Sequence, residues 1–342
     1  MRPISNPPNP FDSQYRELLE PPRERKLTVY KDETRDILSR NESPDLPFRW
    51  SVNPYRGCVH ACAYCYARPS HEYWGFGAGT DFDSKIIVKE AAPRLLRQAF
   101  DKPSWGGDLI LFSGNTDCYQ PLEASYGLTR ACLSVCADYR NPVSVITKGV
   151  LVLRDLDILK RLNREAWIRV YFSIPFSSDE AARKVEPHAP SPTKRFEAMT
   201  ILADAGIPTG ISIAPLIPGL NEDDIPELLQ RARHAGACTA VATVVRLPGN
   251  VETVFLDRMT EAFPHRIGKI VSRTREVRNG ALTESAFFKR HQGKGVYWNI
   301  VEQLFGMAKR RAGFTNEDSG PMVTTFRRPV GEQAVLFDAE AT

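Results

Sequence analysis

Residues 58–65 read Cys58-Val-His-Ala-Cys62-Ala-Tyr-Cys65, and they follow Asn53-Pro-Tyr-Arg-Gly and run on into Tyr66-Ala-Arg68. Three thiols at spacings of four and three residues can converge on one centre if the backbone loops around it. A structural zinc ion normally takes four protein ligands. A cubane iron–sulfur cluster held by three thiolates leaves one iron free for a small molecule. The stretch therefore predicts a metal centre with an open coordination position.

Apolar runs bounded by turn residues recur along the chain and predict buried strands. Between them lie helix-like segments with apolar residues three or four positions apart, and Gly206 and Gly236 stand where two of these helices would end. A repeating strand–helix order favours a parallel sheet with right-handed crossovers. The predicted strands are 49–53, 109–113, 143–147, 168–174, 210–214 and 240–245, and the predicted helices are 89–100, 127–139, 153–163, 192–205 and 223–234.

Five of the predicted strands are followed by polar residues where the apolar run ends. In parallel barrels the chemistry gathers at the C-terminal ends of the strands. A polar residue at one strand end is usually a turn residue or a cap. Polar residues at the C-terminal ends of five strands indicate a shared cavity. These strand ends carry Ser113 to Asp117, Thr147 and Lys148, Ser173 to Ser177, Ser212 to Pro215, and Arg246.

The composition is that of a soluble globular protein, with 342 residues, 42% hydrophobic and 25% charged. The chain has no run of about 18 apolar residues and no basic region followed by an apolar one, so we expect neither a membrane span nor a signal peptide. A cytoplasmic location follows as an expectation. The seven cysteines suit a reducing compartment better than a disulfide scaffold. The sequence indicates no oligomeric state.

Three regions are predicted along the chain. Residues 1–47 are rich in proline and predict an irregular N-terminal arm. Residues 48–247 form the αβ core, and residues 248–342 form a C-terminal extension with a final amphipathic helix over 299–312. From Pro264 to Gly313 eleven lysines and arginines face three acids. Such a segment suits a phosphate backbone, and the alternative is a solvated basic face.

The cysteine motif, with the aromatic Tyr64 before the third cysteine, resembles that of the radical S-adenosylmethionine (SAM) superfamily. Further motifs resemble the branch related to spore photoproduct lyase. The resemblance covers about residues 48–310. The motifs are Asn53 to Cys58, Cys65 to Arg68, Thr116-Asp117, Gln120 to Glu123, Thr129-Arg130, Ile146 to Lys148, Arg154-Asp155, Glu186-Pro187 and Ile217 to Asn221.

The resemblance implies a fold, cofactors and a reaction. The fold would be an α/β partial (β/α)6 TIM barrel, open, with the N-terminal arm and C-terminal extension attached. A [4Fe–4S] cluster on Cys58, Cys62 and Cys65 would pass one electron to SAM, and the resulting 5′-deoxyadenosyl radical would abstract hydrogen from the substrate. An electron donor of the flavodoxin or ferredoxin type is implied as a partner. The branch indicates nucleic acid or a nucleotide as the substrate class.

The resemblance also assigns SAM-binding roles to single residues. Tyr64 would lie beside adenine, and Thr116 and Asp117 would line the cavity beside the methionyl group. Lys148 would meet the SAM carboxylate or ribose. Ser173 and Ser212 match family positions that hydrogen-bond SAM. Glu186 and Arg195 also match family positions, although an ion pair between them explains both residues equally well. Asn221 matches a family position too, and together with Asp224 it predicts a capping box.

One position departs from the family pattern. In spore photoproduct lyase a cysteine just before the Ser/Thr-Asp pair returns a hydrogen atom to the product radical, and here that position is Asn115. Cys118 is a candidate catalytic residue as a relocated donor, and otherwise it fills space in the cavity wall. Cys132 and Cys136 are most simply core residues. A second cluster that also includes Cys238 is the alternative.

Two other functions stay open at this point. A radical SAM enzyme could modify a peptide or a small molecule, although no additional cysteine-rich module marks an auxiliary-cluster peptide modifier. A protein of another class would be a non-catalytic zinc module in which His60 or His71 completes a site of three cysteines and one histidine.

Overall fold

The computed structural model describes residues 6–7, 9–11, 26–315 and 324–329. Within these ranges ten strands are present. In chain order they are β1 (Thr28–Lys31), β2 (Leu38–Arg40), β3 (Trp50–Val52), β4 (Tyr55–Arg56), β5 (Lys85–Val88), β6 (Ile110–Phe112), β7 (Val143–Thr147), β8 (Ile168–Ser173), β9 (Thr209–Leu216) and β10 (Thr239–Val244).

Eleven α-helices lie in the same described ranges, together with short 3-10 helices at Arg68–Trp74, Val150–Asp155 and Glu222–Asp224. The helices are α1 (Thr80–Ser84), α2 (Ala92–Asp101), α3 (Glu123–Tyr126), α4 (Leu128–Asp138), α5 (Leu156–Glu165), α6 (Asp179–Val185), α7 (Pro192–Asp204), α8 (Ile225–His234), α9 (Val251–Ala262), α10 (Ile267–Val277) and α11 (Gly295–Arg311).

The larger sheet carries the fold, and its strand order is β10-β9-β8-β7-β6-β3-β2. Strands β3 and β6 to β10 are parallel, and β2 joins β3 as an antiparallel edge. The sheet is open, because β10 and β2 are its ends and do not pair with each other. The expected open α/β fold with six parallel strands is confirmed, and each predicted strand and helix of the core overlaps an observed one.

The core lies between this sheet and the helices that follow its strands. Phe112, Val145, Phe172 and Ile211 come from four neighbouring strands, and each is fully buried in one hydrophobic cluster. Leucines of α2, α4, α5, α7 and α8 pack against them in the same cluster. Because successive parallel strands end at the same edge, the loops after them converge there.

A second, smaller sheet has the order β1-β5-β4. Strand β1 pairs in parallel with β5, although all four of its residues are exposed. The structure differs here from the irregular arm expected for residues 1–47, since β1 and β2 are both strands. Their backbones pair without a buried face, so no hydrophobic pattern marks them. The domain boundaries at residues 47 and 247 stay predictions.

The C-terminal segment 324–329 packs at the end of the larger sheet that lies opposite to the C-terminal ends of its parallel strands. Phe326 lies 5.8 Å from the ring of Phe100 and 6.1 Å from that of Tyr139, between centroids. Arg328 donates hydrogen bonds to the carbonyl oxygens of Phe100 (3.0 Å) and Lys102 (2.7 Å). The segment therefore closes an apolar notch between α2 and α4. Among the described residues, no helix has the length and apolar character needed to cross a membrane.

Candidate functional site

The cysteine loop, residues 57–65, leaves β4 at the carboxyl edge of the larger sheet. Cys58 and Cys62 are buried, and Cys65 is half-buried. The backbone amide of Cys58 donates to the Phe82 carbonyl (3.0 Å), and that of Ala63 donates to the Val185 carbonyl (2.9 Å). The loop is thus tied to two different elements and encloses its three thiols.

The three thiols act on one another as well as on their surroundings. Burial raises the pKa of Cys58 well above its usual range, and Asp117, Cys62 and Cys65 raise it further. Burial, together with Glu186 and Cys65, raises the pKa of Cys62 to about 12, against the opposing effect of Lys148. Burial raises the pKa of Cys65. Such buried thiols become thiolates when a metal centre supplies the positive charge.

The spacing of possible ligands bears on the kind of metal. Among the described residues, no three His, Cys, Asp or Glu side chains are close enough to hold one metal ion. Sulfurs on a single tetrahedral zinc ion lie roughly 3.8 Å apart, given Zn–S bonds of about 2.3 Å. In a cubane each thiolate binds its own iron, so the sulfurs stand farther apart. The three cysteines of the loop are free, and their binding of a cluster stays a prediction.

The two histidines considered as zinc ligands each lie beside another polar group. His71 Nε2 lies 2.7 Å from the Lys85 carbonyl oxygen, and His60 Nδ1 lies 3.4 Å from Asp117 Oδ2. Neither is grouped with the thiols as a ligand set in the part of the chain that the structure describes.

Two arginine side chains hydrogen-bond to backbone carbonyls of the cysteine loop. Arg68 donates to the carbonyl of Cys62 (2.9 Å) and pairs with Asp83 Oδ1 (2.9 Å). Arg258, on α9, donates to the carbonyl of Ala61 (2.6 Å) and pairs with Asp83 Oδ2. Ala61 has a φ of 56°, in the left-handed region that residues with a Cβ rarely occupy. The arginine clamp (Arg68, Asp83 and Arg258) thus holds the loop at its strained residue.

Gln120 holds the start of the same loop. Its Oε1 accepts from the Val59 amide (3.1 Å), and its Nε2 donates to the Gly57 carbonyl (3.0 Å). Gly57 has a φ of 77°, and a Cβ there would lie 2.8 Å from a ring carbon of His71, so only glycine fits. The Gln120-Pro-Leu-Glu123 motif thus has a positioning role, because Glu123 in turn accepts a hydrogen bond from the hydroxyl of Tyr55 on β4.

Asp117 organises the loop after β6. Its carboxylate accepts from the Thr147 hydroxyl (2.6 Å) and from the Lys148 amide (2.7 Å). Burial alone would raise the pKa of Asp117, but His60, Lys148 and Thr147 outweigh it, so the pKa lies below its usual range. Thr116 points away from this network, since its hydroxyl donates to the Tyr55 carbonyl (2.7 Å). Both residues therefore fix the backbone beside the thiols.

Lys148 stands between the thiols and a buried ion pair. Its Nζ lies 3.9 Å from Glu186 Oε1 and 5.6 Å from the centre of the Tyr64 ring. Burial alone would lower the pKa of Lys148, but Cys62 and Glu186 raise it, and the net shift is upward. The side chain is therefore an ammonium group at the edge of the thiol centre.

Glu186 and Arg195 form an ion pair. This pair was one of the two explanations that the sequence offered for these residues, the other being a role at a family position. Arg195 Nη2 lies 2.5 Å from Glu186 Oε2, and both side chains are fully buried. The Tyr64 hydroxyl also donates to Glu186. The hydrogen bond of the Tyr64 hydroxyl thus fixes the position of the Tyr64 ring. The contact of this ring with adenine stays a prediction.

Ser173 and Ser212 are direct partners in the β8–β9 register. The Ser173 hydroxyl donates to the Ala214 carbonyl (3.1 Å). The Ser212 hydroxyl has no hydrogen-bond partner among the described residues. Ser212 is therefore the one of the two whose side chain remains available to a ligand.

The capping role expected for Asn221 is wrong. Its side chain makes no cap hydrogen bond to the 3-10 helix that follows. Instead it donates to the carbonyls of Pro175 (2.7 Å) and Pro215 (3.1 Å) and accepts from the Ile217 amide (2.7 Å). Asn221 therefore joins the chain segments that leave β8 and β9, a role that only the tertiary structure reveals.

Cys118 lies in the hydrophobic core, and burial raises its pKa well above the usual range. Cys132 and Cys136 are fully buried in the same core. Cys238 lies at the start of β10, where its thiol contacts the Thr209 carbonyl (3.1 Å). The second cluster considered for Cys118, Cys132, Cys136 and Cys238 stays untested. The role of Cys118 as a hydrogen donor stays a prediction.

A family model described as the radical SAM superfamily matches residues 52–232. The chain belongs to the radical SAM superfamily. Membership implies a [4Fe–4S] cluster and SAM as cofactors, and radical SAM enzymes generally need an electron donor. The matched region runs from the last residue of β3, ahead of β4 and the cysteine loop, into α8.

Relatives of this radical SAM enzyme occur in bacteria, archaea and viruses. An uncharacterized protein of Mycobacterium tuberculosis is 36% identical over 234 residues, which is 68% of each chain. One from Methanocaldococcus jannaschii is 32% identical over 195 residues, 57% of this chain and 70% of the relative. The radical SAM Nalpha-GlyT isomerase of Pseudomonas phage M6 is 23% identical over 279 residues, 80% of this chain and 56% of the relative.

Solved structures of spore photoproduct lyase share the fold of this radical SAM enzyme. A variant with bound AdoMet and dinucleoside spore photoproduct aligns with a TM-score of 0.56 and 16% identity, over 84% of this chain and 82% of that one. A second, with dinucleoside spore photoproduct, aligns with a TM-score of 0.59 and 15% identity, over 84% and 79%.

The basic segment is less available to a polyanion than its sequence suggests. Arg278 is buried and donates to four backbone carbonyls, among them those of Val245 (2.8 Å) and Gln292 (2.8 Å). Arg290 is buried and forms a two-pronged ion pair with Asp45. These two side chains are therefore engaged within the protein, and the contact of the basic segment with phosphates stays a prediction. Arg275 and Lys289 remain exposed.

Proposed function

We propose that this radical SAM enzyme binds a [4Fe–4S] cluster through Cys58, Cys62 and Cys65 and cleaves SAM reductively at the carboxyl edge of its parallel sheet. The observation that carries the proposal is the enclosed loop of three free thiols, tied at both ends and facing the ammonium group of Lys148. When bound, the cluster supplies the electron that converts SAM to methionine and a 5′-deoxyadenosyl radical.

The residues of the chain hold and orient these groups. The arginine clamp and Gln120 fix the carbonyls and amides of the cysteine loop, so that the thiols keep their positions. Lys148 offers positive charge to the carboxylate or ribose of SAM. Ser212 offers a free hydroxyl, and the Tyr64 ring offers an apolar face for adenine. Thr116 and Asp117 shape the wall beside the methionyl group.

We propose nucleic acid or a nucleotide as the substrate class. Support comes from the shared fold with a lyase whose structures contain a dinucleoside photoproduct. A peptide or small molecule is the alternative, and the name of the phage relative, an isomerase, is a reason to leave the overall reaction open. The proposed electron donor is of the flavodoxin or ferredoxin type.

An anaerobic assay tests the proposed function. Protein purified without oxygen should carry about four irons and four sulfides per chain, and with dithionite and SAM it should form 5′-deoxyadenosine. Cys58→Ala, Cys62→Ala and Cys65→Ala should each lose iron and the visible absorption of the cluster. Cys136→Ala, a change in the core of α4, is the matched control and should keep both.

Circular dichroism separates loss of the cluster from misfolding in these variants. Full iron retention in any of the three loop variants would exclude the cluster assignment. One zinc per chain and no 5′-deoxyadenosine would support the zinc module instead.

A further inference from the structure

Arg246 follows the last parallel strand, β10, at the edge where the site lies. It is half-buried, its Nε is inaccessible to solvent, and none of its nitrogens is hydrogen-bonded to an acceptor in the described part of the chain. The buried arginines Arg68, Arg195, Arg258, Arg278 and Arg290 all have hydrogen-bonded partners. A partly desolvated guanidinium group without a hydrogen-bond acceptor costs free energy. An anion bound to Arg246 would supply this acceptor.

Other positive charges surround Arg246. Arg278 donates to the carbonyl of Val245, the residue before it. Arg290 also acts on it electrostatically, and burial and Arg290 together lower the pKa of Arg246. Asp45, a carboxylate that acts electrostatically on Arg246, already accepts hydrogen bonds from Arg290 with both oxygens, at 2.8 and 2.6 Å. The positive potential at Arg246 is therefore left without a counter-charge of its own.

An aromatic ring connects this charge to the thiol centre. Tyr66 directly follows Cys65, and the guanidinium carbon of Arg246 lies 6.0 Å from the centre of its ring. The Tyr66 hydroxyl donates to the Gly114 carbonyl (2.7 Å), which fixes the ring, and 48% of the residue is exposed. An anion on Arg246 would thus stand one aromatic side chain away from the third cysteine.

We propose that Arg246 anchors a phosphodiester group of the substrate, with Tyr66 beside it as a platform for the adjoining base. The proposal rests on the proposed function in placing the substrate at the same strand edge. A guanidinium fork matches the paired oxygens of a phosphate. The combination of a cation with a neighbouring exposed aromatic ring is typical of sites that bind single-stranded nucleic acid.

Equilibrium binding without SAM or dithionite tests this site independently of the radical reaction. The probe is a fluorescein-labelled hexathymidylate, compared with the same oligomer carrying uncharged methylphosphonate linkages. The wild type should prefer the charged oligomer at least tenfold. Arg246→Gln should weaken binding of the charged oligomer roughly ten- to a hundredfold, the loss expected for hydrogen bonds to a charged group, and should bind both oligomers alike.

Two further variants and one competitor sharpen the test. Arg246→Lys should lie between Arg246→Gln and the wild type, because lysine keeps the charge but not the fork. Arg94→Gln, an exposed change on α2, is matched in charge and should bind as the wild type does. Iron content and circular dichroism verify that each variant is folded and loaded. Inorganic phosphate should compete with the charged oligomer only weakly.

Three results would overturn the proposal. They are unchanged binding of the charged oligomer by Arg246→Gln, equal binding of the two oligomers by the wild type, and binding of inorganic phosphate with no binding of either oligomer. Each of these leaves the proposed function standing if 5′-deoxyadenosine is still formed, whereas a protein that binds the oligomer through Arg246 but never cleaves SAM would contradict the proposed function alone.

Discussion

Glu186 is shared by three side chains, and this sharing determines what Lys148 can still bind. Arg195 and Tyr64 contact Glu186 directly, whereas Lys148 Nζ stays 3.9 Å away. The carboxylate is thus already neutralised by Arg195. The ammonium group of Lys148 keeps most of its capacity to attract a second anion, and the proposed anion is the carboxylate of SAM.

The first prediction concerns Lys148→Ala. It should weaken SAM binding by roughly 1.5–3 kcal/mol, the usual contribution of a hydrogen bond to a charged group, and leave the iron content unchanged. The fold should tolerate the change because Arg195 still compensates Glu186. Calorimetric titration of the anaerobic protein with SAM measures the effect, and Lys160→Ala on the exposed side of α5 is the control. Unaltered affinity would remove Lys148 from the SAM site.

Single residues differed in how far the sequence could reveal their roles. The cysteines and Lys148 lie at strand ends or in a short motif, so local spacing marks them. Arg258 contacts Ala61 across 197 positions of the chain, and in an amphipathic helix an arginine normally reads as a surface residue. Arg246 was visible as a polar strand end, but its lack of a partner emerges only from the packing around it.

At the scale of elements, the arginine clamp joins the cysteine loop to α1 and α9. Asp83 on α1 receives Arg68 from the chain after the loop and Arg258 from α9. Two cations share one buried carboxylate, and each has a further bond to a loop carbonyl. The C-terminal extension is thereby part of the support of the thiol centre rather than an appendage.

A second prediction follows for Arg258→Met, which keeps the length of the side chain but removes its charge. Breaking a buried pair costs about 3–5 kcal/mol, and we expect about 3 kcal/mol because Arg68 still holds Asp83. Urea unfolding measures the loss of stability. Iron should also be released faster to a chelator, since Ala61 loses its anchor. Arg266→Met, an exposed change just before α10, should alter neither quantity, and an unchanged release rate in Arg258→Met would refute the clamp.

The elements of the parallel sheet were predictable because each has a continuous apolar run. Strand β7, for example, spans Val143–Thr147, the predicted limits. Helices α9 and α10 were missed because the apolar period of the sequence weakens after Pro248. Strands β1 and β2 were missed because backbone pairing, not side-chain burial, holds them.

At the scale of the whole molecule, the net charge of +4 says little about where a polyanion would bind. The arginines that anchor the extension to the sheet are satisfied by backbone carbonyls and by Asp45. Several cations on and near α10 remain exposed, among them Arg275 and Lys289, and these could attract phosphates at long range. Long-range attraction and the local anchor at Arg246 are therefore separable.

The third prediction uses this separation. If the exposed cations of the extension attract nucleic acid, the affinity for a labelled oligonucleotide should fall steeply with salt. Arg275→Ala combined with Lys289→Ala should lower the log–log slope by about 1 for each phosphate contact removed. Fluorescence anisotropy at several salt concentrations gives the slope. Arg278→Ala is unsuitable as a partner in this experiment, because it would free four buried carbonyls and destabilise the fold. A slope that the double substitution leaves unchanged would exclude these two residues from the contact.

The return of segment 324–329 to the notch between α2 and α4 has a consequence for synthesis. Arg328 donates to the carbonyl of Phe100, which lies 228 positions earlier in the chain. A ribosome needs roughly 10–50 s to translate that length at about 5–20 residues per second. During that interval the rings of Phe100 and Tyr139 lack the cover that Phe326 provides. The nascent chain thus exposes more of this apolar notch than the folded protein does, and the arrival of residues 324–329 determines when the rings are covered.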